Sequence, residues 1–218
     1  MRAHLKINTG ISILPFSHQH LLVGTIHKWL GWNDIHGKIS LYSFSRLDGG
    51  KATKTGLRYD NETAFFFSAY DPLLIKKLVA GIQADNSMFN GLYVSEIILQ
   101  ENPDLKAREL FFVASPVLIK RKVDERIEHI TYNDPRSNSF LKETLETKMN
   151  AAGIIDDSFD VKFEKSYPKA KTQLVSYNGI DNRANWCPVT LKGKLETKLF
   201  AWNVGLGNST GIGFGAIK

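Results

Sequence analysis

The period of the apolar residues switches back and forth between two and about three and a half along the first hundred residues. That switching restricts the fold more than any other feature of the chain. Ala3, Leu5 and Ile7 alternate with His4, Lys6 and Asn8, which predicts a strand. Ser17 is then placed to cap a helix whose inner stripe is Leu22, Ile26, Trp29 and Leu30 and which Gly31 stops. Lys38–Leu47 alternates again until Gly49-Gly50 breaks it. Gly56–Tyr59 and Thr63–Tyr70 read as a hairpin around Asp60-Asn61. Asp71-Pro72 opens a second helix, Pro72–Ala84, whose buried face is Leu74, Ile75, Leu78, Val79 and Ile82, and Leu92–Leu99 closes the set as a strand. A strand, a helix, two strands, a helix and a strand in that order make the split βαββαβ unit of ferredoxin-like folds.

Glu101-Asn102-Pro103-Asp104 interrupts the pattern, so a boundary is expected between Asn102 and Arg108, dividing the chain into 1–105 and 106–218. The same order then returns. Leu110–Ile119 is a strand pair broken at Ser115-Pro116, and Asn138–Ala152 is helical with Gly153 beyond it. Phe159–Lys165, Thr172–Tyr177 and Pro188–Lys192 are strands, Leu195–Val204 is a short helix, and Ile212–Lys218 is the last strand. The stretch Leu195–Trp202 fits a strand equally well. The expected fold is α+β, with two tandem ferredoxin-like domains.

Composition narrows the function classes. With 43% hydrophobic residues in 218, the chain buries a core and is not a disordered tail. No apolar stretch approaches the ~20 residues of a membrane span, and the N-terminus carries no secretory pattern. A single cysteine, Cys187, in an apolar setting reads as a structural thiol, and the expected compartment is the cytoplasm. The net charge is +6, and it is unevenly spread. Residues 169–218 hold seven basic side chains against two acidic ones, whereas 1–109 hold twelve against ten. A polyanionic partner explains this asymmetry, since clustered cations release counterions from phosphates; an ordinary solvated surface explains it too.

Two groups of residues are candidates for chemistry. The first is the run Gly205-Leu206-Gly207-Asn208-Ser209-Thr210-Gly211-Ile212-Gly213-Phe214-Gly215, in which five of eleven residues are glycine. Such a run admits an anion to backbone N–H groups, or it simply packs tight turns beside a sheet. It is neither a Walker loop nor a dinucleotide fingerprint, because no Gly-Lys-Ser/Thr follows and no helix comes after it. The second is histidine: five of six precede residue 40. His18 and His20 point apart at a helix start and lack an acidic cluster, so a metal site is not favoured there. His27 lies on a small face formed with His20, Gly24 and Gly31, and His36 stands in a Gly-flanked loop before Lys38. Two imidazoles beside a lysine suffice to cleave RNA, since an imidazole pKa of about 6.5 suits both a general base and a general acid. Each is equally compatible with an ordinary surface hydrogen bond.

Ser17-His18-Gln19 at the first helix, Lys38-Ile39-Ser40-Leu41-Tyr42-Ser43 after it, Ser115-Pro116 in mid-chain and the closing glycine run together resemble the CRISPR repeat-processing endoribonucleases of the Cas-six family, within the RAMP superfamily. The resemblance covers nearly the whole chain, and the glycine run is its most specific element. It implies a tandem ferredoxin-like enzyme that cuts CRISPR precursor RNA within its repeats without metal or cofactor, leaving a 2′,3′-cyclic phosphate and a 5′-hydroxyl. By the same resemblance His36 is the general base, Lys38 the active-site lysine, and His27 falls where relatives have a Tyr or another His. RNA contact is expected from Gly205, Gly207, Asn208, Ser209, Gly211 and Gly213 and from Lys120, Arg121, Lys122, Lys192 and Lys194, with Tyr42 and Phe214 as candidates for base stacking. The implied partners are CRISPR repeat RNA, subunits of a CRISPR effector complex and a second copy of the chain. The alternative in the same fold is a repeat-RNA-binding subunit that does not cut.

Overall fold

A computed structural model describes residues 1–31 and 39–218. The first unit consists of β1 (Arg2–Leu14), α1 (Gln19–Leu30), β2 (Tyr42–Phe44), β3 (Lys51–Ala52), β4 (Leu57–Ala69), α2 (Pro72–Ala84) and β5 (Tyr93–Gln100). Its antiparallel sheet has the order β2-β4-β1-β5. Leaving aside the two-residue β3, this is second, third, first, fourth, the arrangement of a ferredoxin-like unit. One face of the sheet buries Ala3, Leu5, Ile7, Phe65 and Phe67 against Leu22, Ile26 and Trp29 of α1 and Ile75, Leu78 and Ile82 of α2. The helix α2 begins where the sequence places it, because the Asp71 carboxylate accepts the Leu73 N–H at 2.9 Å and Pro72 fills the first position.

Two local expectations are corrected. Asp60-Asn61 is not a turn: β4 runs straight through it, paired with β1 from Arg2↔Ser68 to Leu14↔Leu57. The turn residues instead serve a bulge, where Asn61 (φ 70°) faces Gly10 (φ 51°). Asparagine tolerates positive φ, so the same signal satisfies either geometry. The hairpin lies earlier, with β3 pairing Lys51↔Arg58 and closing through Thr53 and Gly56. Ser17 does not cap α1; His18 occupies that position without a side-chain cap, and the His20 ring uses the Ser17 carbonyl.

The second unit contains β6 (Leu110–Phe111), β7 (Lys120–Val123), β8 (Arg126–His129), α3 (Ser137–Ala151), β9 (Asp160–Phe163), β10 (Lys171–Tyr177), β11 (Ile180–Trp186), β12 (Val189–Lys192) and α4 (Leu195–Val204). Its sheet runs β6-β12-β9. Residues 216–218 lie along the other side of the first strand: the Phe112 N–H donates to the Lys218 carbonyl at 3.0 Å, the reverse bond is 2.8 Å, and Ala114 N–H reaches Ala216 O at 2.7 Å. The order is again second, third, first, fourth, with the hairpins β7–β8 and β10–β11 inserted. The ambiguous Leu195–Val204 is a helix, and the expected last strand is shorter than Ile212–Lys218, because a 3-10 turn occupies Thr210–Ile212.

Arg2 joins the two units. Only 2% exposed, its guanidinium lies between the rings of Phe66 and Trp202, 3.6 and 3.4 Å from their centroids. It donates to Ser68 Oγ at 2.7 Å and to the carbonyls of Trp202 and Ile217, both at 2.9 Å. Arg2→Ala leaves these acceptors unpaired and removes a desolvated cation–π sandwich, so thermal unfolding is expected to show a loss of about 3 kcal/mol. A melting temperature unchanged from wild type refutes this role.

Candidate functional site

The glycine-rich loop is built from the end of α4. Gly205 (φ 72°) terminates that helix, with its N–H on Ala201 O. From there Leu206 N–H bonds Gly215 O, Gly215 N–H bonds Pro116 O, and Asn208 N–H bonds Leu118 O, at 2.7–2.9 Å. Asn208 Oδ1 accepts the Lys120 N–H at 2.8 Å, which ties the loop to the start of β7. On its other side Gln19 of α1 donates to Ile212 O at 2.9 Å, and the Tyr42 hydroxyl donates to Gly211 O at 3.3 Å. The loop is therefore the seam where α1, β2, β7 and α4 meet.

Packing demands the glycines. A Cβ on Gly215 would stand 1.8 Å from Leu206 O, one on Gly207 2.4 Å from Leu118 O, and one on Gly213 1.7 Å from Gln19 Nε2, and all three have positive φ. A Cβ on Gly211 would meet Ser40 Oγ at 2.3 Å. The room that Gly205, Gly207, Gly211 and Gly213 leave is filled by protein, and the half-buried positions of the loop are Asn208, Ser209 and Ile212. Tyr42 and Phe214, considered for base stacking, are core residues at 3% and 0% exposure. Burial pushes the Tyr42 phenol up to about 12.

Of the expected catalytic residues, His36 and Lys38 lie outside the described residues. The chain resumes beside the loop: Thr210 Oγ1 donates to Ser40 O at 3.4 Å. His27 is half-buried on the last turn of α1, about 12 Å along the axis from Gln19. The other histidines have different work. His18 is buried, with Nδ1 on Pro15 O at 2.9 Å and its ring over Phe89, and burial lowers its pKa below the usual imidazole value. His4 meets Gln100 Oε1 at 2.7 Å. His129 on β8 has a lowered pKa, chiefly from burial and then from the charges of Lys120 and Arg183. Among the described residues no group of three His, Cys, Asp or Glu is placed to hold a metal, and no helix is long and apolar enough to cross a membrane. Cys187 is buried, and burial pushes its thiol up to about 11.

The basic candidates separate into two places. Lys120, Arg121 and Lys122 open β7 beside the loop. Lys122 is exposed, whereas Arg121 is held by Glu143 at 3.0 Å and lies over the Phe140 ring. Lys192 and Lys194, expected together as RNA contacts, lie on different elements, because β12 ends at Lys192 and Lys194 is the residue before α4. That puts them across the length of α4, about 15 Å, from Gly205. Lys194 Nζ is engaged by Ile155 O at 3.2 Å, and Lys192 pairs with Glu109 at 3.8 Å.

The comparisons agree with this architecture. A family model described as "CRISPR associated protein Cas6, C-terminal" matches residues 100–218, more than half of the sequence. The chain belongs to the Cas6 family. No curated protein matches it. Among solved structures it is similar to a "CRISPR associated protein Cas6" (20% identity, 100% of this chain and 98% of that one, TM-score 0.85). It is also similar to the product of a Cas6-related gene from Pyrococcus furiosus (19%, 100% and 97%, 0.85) and to "An RAMP protein binding different RNA substrates" (18%, 100% and 98%, 0.82). At such identities the likeness is one of fold, and it extends over both units.

Sequence reasoning missed one feature of this Cas6-family chain. A cleft of about 940 Å³ opens between the units, lined by His4, His18, Arg46, Tyr59, Gln173 and Trp186. Two buried polar atoms of its lining residues, Arg46 Nε and the Tyr59 hydroxyl, have no hydrogen-bond partner among the described residues, which is unusual in a folded interior. Beside it a 390 Å³ hollow is lined by Phe112, Tyr167, Trp186, Lys169 and Lys171. These residues come from elements far apart in sequence, and no local spacing announces them.

Proposed function

We propose that this Cas6-family chain is a metal-independent endoribonuclease that cuts CRISPR precursor RNA within its repeats, residues 1–105 carrying the cutting groups and 106–218 the glycine-rich loop. What carries this reading is one junction: the glycine-rich loop packs on the segment that resumes directly after His36 and Lys38. Chemically, the His36 imidazole takes the 2′-OH proton as that oxygen bonds to the adjacent phosphorus. The P–O5′ bond breaks, the Lys38 ammonium offsets charge on the non-bridging oxygens, and His27 gives a proton to the leaving 5′-oxygen. Asn208, Ser209, Lys120 and Lys122 supply phosphate contacts that position the strand. In this reading the partners are repeat RNA, effector-complex subunits and a second copy of the chain.

Incubation with repeat RNA in excess EDTA, beside the same RNA carrying one 2′-deoxy at the scissile nucleotide, tests the mechanism. Cutting of the all-ribose RNA alone is expected, with a cyclic phosphate end. Cutting of the deoxy RNA, or loss of activity in EDTA, refutes it. A second reading, a subunit that holds repeat RNA without cutting, is favoured by the similarity in fold to "An RAMP protein binding different RNA substrates". Tight binding with both RNAs intact supports that one.

A further inference from the structure

Lys148 occupies a core position. The inward stripe of α3 is Leu141, Thr144, Leu145, Lys148 and Met149, spaced as a buried helix face requires, and Lys148 is 6% exposed. No carboxylate among the described residues compensates it, and burial alone pulls its pKa down to about 7. Burying a cation with no compensating charge costs free energy that an apolar side chain of similar length would not. Fold stability therefore does not account for a lysine there, and its hydrogen bonds must.

Those bonds go to two neutral oxygens, Gly205 O at 3.2 Å and Thr210 Oγ1 at 3.3 Å. Gly205 ends α4 and Thr210 opens the 3-10 turn, so one amine holds both flanks of the half-buried Asn208-Ser209 tip. Lys148 Nζ donates to the Thr210 hydroxyl, and that hydroxyl in turn donates to Ser40 O at 3.4 Å. The path runs from α3 through the loop to the residue two positions after Lys38.

We propose that Lys148 is a positioning residue, which through Thr210 fixes the glycine-rich loop against Ser40, two positions after Lys38 in the sequence. The phosphate-holding groups of the loop then keep one geometry relative to Ser40. This rests on the endoribonuclease reading above. A shift of about 1 Å between phosphate-holding and cutting groups is enough to slow a reaction a hundredfold while the ligand still binds.

The test compares Lys148→Met, Thr210→Val and the double variant in the full chain, with single-turnover cleavage rate, repeat-RNA Kd and melting temperature each measured. Expected are rates lowered roughly 10- to 100-fold in both single variants, Kd within about threefold of wild type, and a double variant no slower than the slower single. Wild-type rates in a folded Lys148→Met variant, a slowing matched by the rise in Kd, or effects that multiply in the double variant overturn the proposal. Should Lys148→Met not fold, Thr210→Val decides alone, since it keeps the volume and removes only the hydroxyl. Should the wild-type chain itself not cut, the endoribonuclease reading fails, and amide exchange decides the positioning claim separately. Faster exchange at Ile212, Gly213 and Tyr70, the last bonded to Leu41 O, with α2 unchanged, upholds it; unchanged exchange at all three overturns it.

Discussion

His36→Ala is expected to slow single-turnover cleavage of repeat RNA by about 10²- to 10⁴-fold, the range that a positioned general base contributes. Binding should stay within about threefold, because an imidazole that acts only as the 2′-oxygen is deprotonated adds little to ground-state affinity. His27→Ala, made separately, divides the roles. If His27 supplies the leaving-group proton, its loss should be largely rescued by a substrate whose 5′-oxygen is replaced by sulfur, which leaves without protonation, whereas the His36 variant should stay slow on that substrate. Two active alanine variants would sink the histidine mechanism and put the cutting groups on other residues of the chain.

Gly215→Ala is expected to be the most damaging single methyl in the chain. The position has φ +70°, and the added Cβ would lie 1.8 Å from the main-chain oxygen of Leu206. A side chain in the way can rotate, but a carbonyl held in the seam cannot. The bonds Leu206 N–H to Gly215 O and Gly215 N–H to Pro116 O, at 2.8 and 2.9 Å, would have to lengthen together. With left-handed strain of about 1 kcal/mol added to broken buried hydrogen bonds, the loss is about 4 kcal/mol, a fall of roughly 8–16 °C in melting temperature. Gly179→Ala is the control: φ is +77° but nothing lies within 4 Å of its Cβ, so only the strain of about 1 kcal/mol is expected. Equal losses in the two variants would show that overlap in the seam is not what makes these glycines necessary.

The contrast between those two glycines also shows how far sequence carried. The helix Pro72–Ala84 was readable from end to end because its signals, Asp71, Pro72 and an apolar stripe, are local and agree. Asn61 reads as a turn in sequence because the residue states that positive φ is tolerated and not which strand lies opposite. The strand Ile180–Trp186 escaped altogether. Its sequence, Ile-Asp-Asn-Arg-Ala-Asn-Trp, reads as loop, yet Asn185 is fully buried there and serves three backbone groups, donating to Val117 O and Ile130 O and accepting from Tyr132 N–H. A buried asparagine at such a hub is indistinguishable in sequence from one in a turn. In the same way the glycine run is legible as a loop of special backbone, while the atoms that fill the gaps at Gly207, Gly211 and Gly213 come from residues some 90 to 190 positions away. Lys192 and Lys194 looked like neighbours of that loop because charge was counted along the chain, and α4 holds them a helix length apart from it.

The Arg2 guanidinium spans 215 positions of sequence to reach Ile217 O. A latch so non-local closes late, since the loss of chain freedom precedes any reward from the contact. Each unit has its own hydrophobic centre and is able to collapse early, but the seam between them is completed only once the first strand and the final residues are both in place. The contacts of Arg2 that join the two units are thus among the last to be secured, and a partly folded chain would hold two assembled sheets not yet fastened to each other.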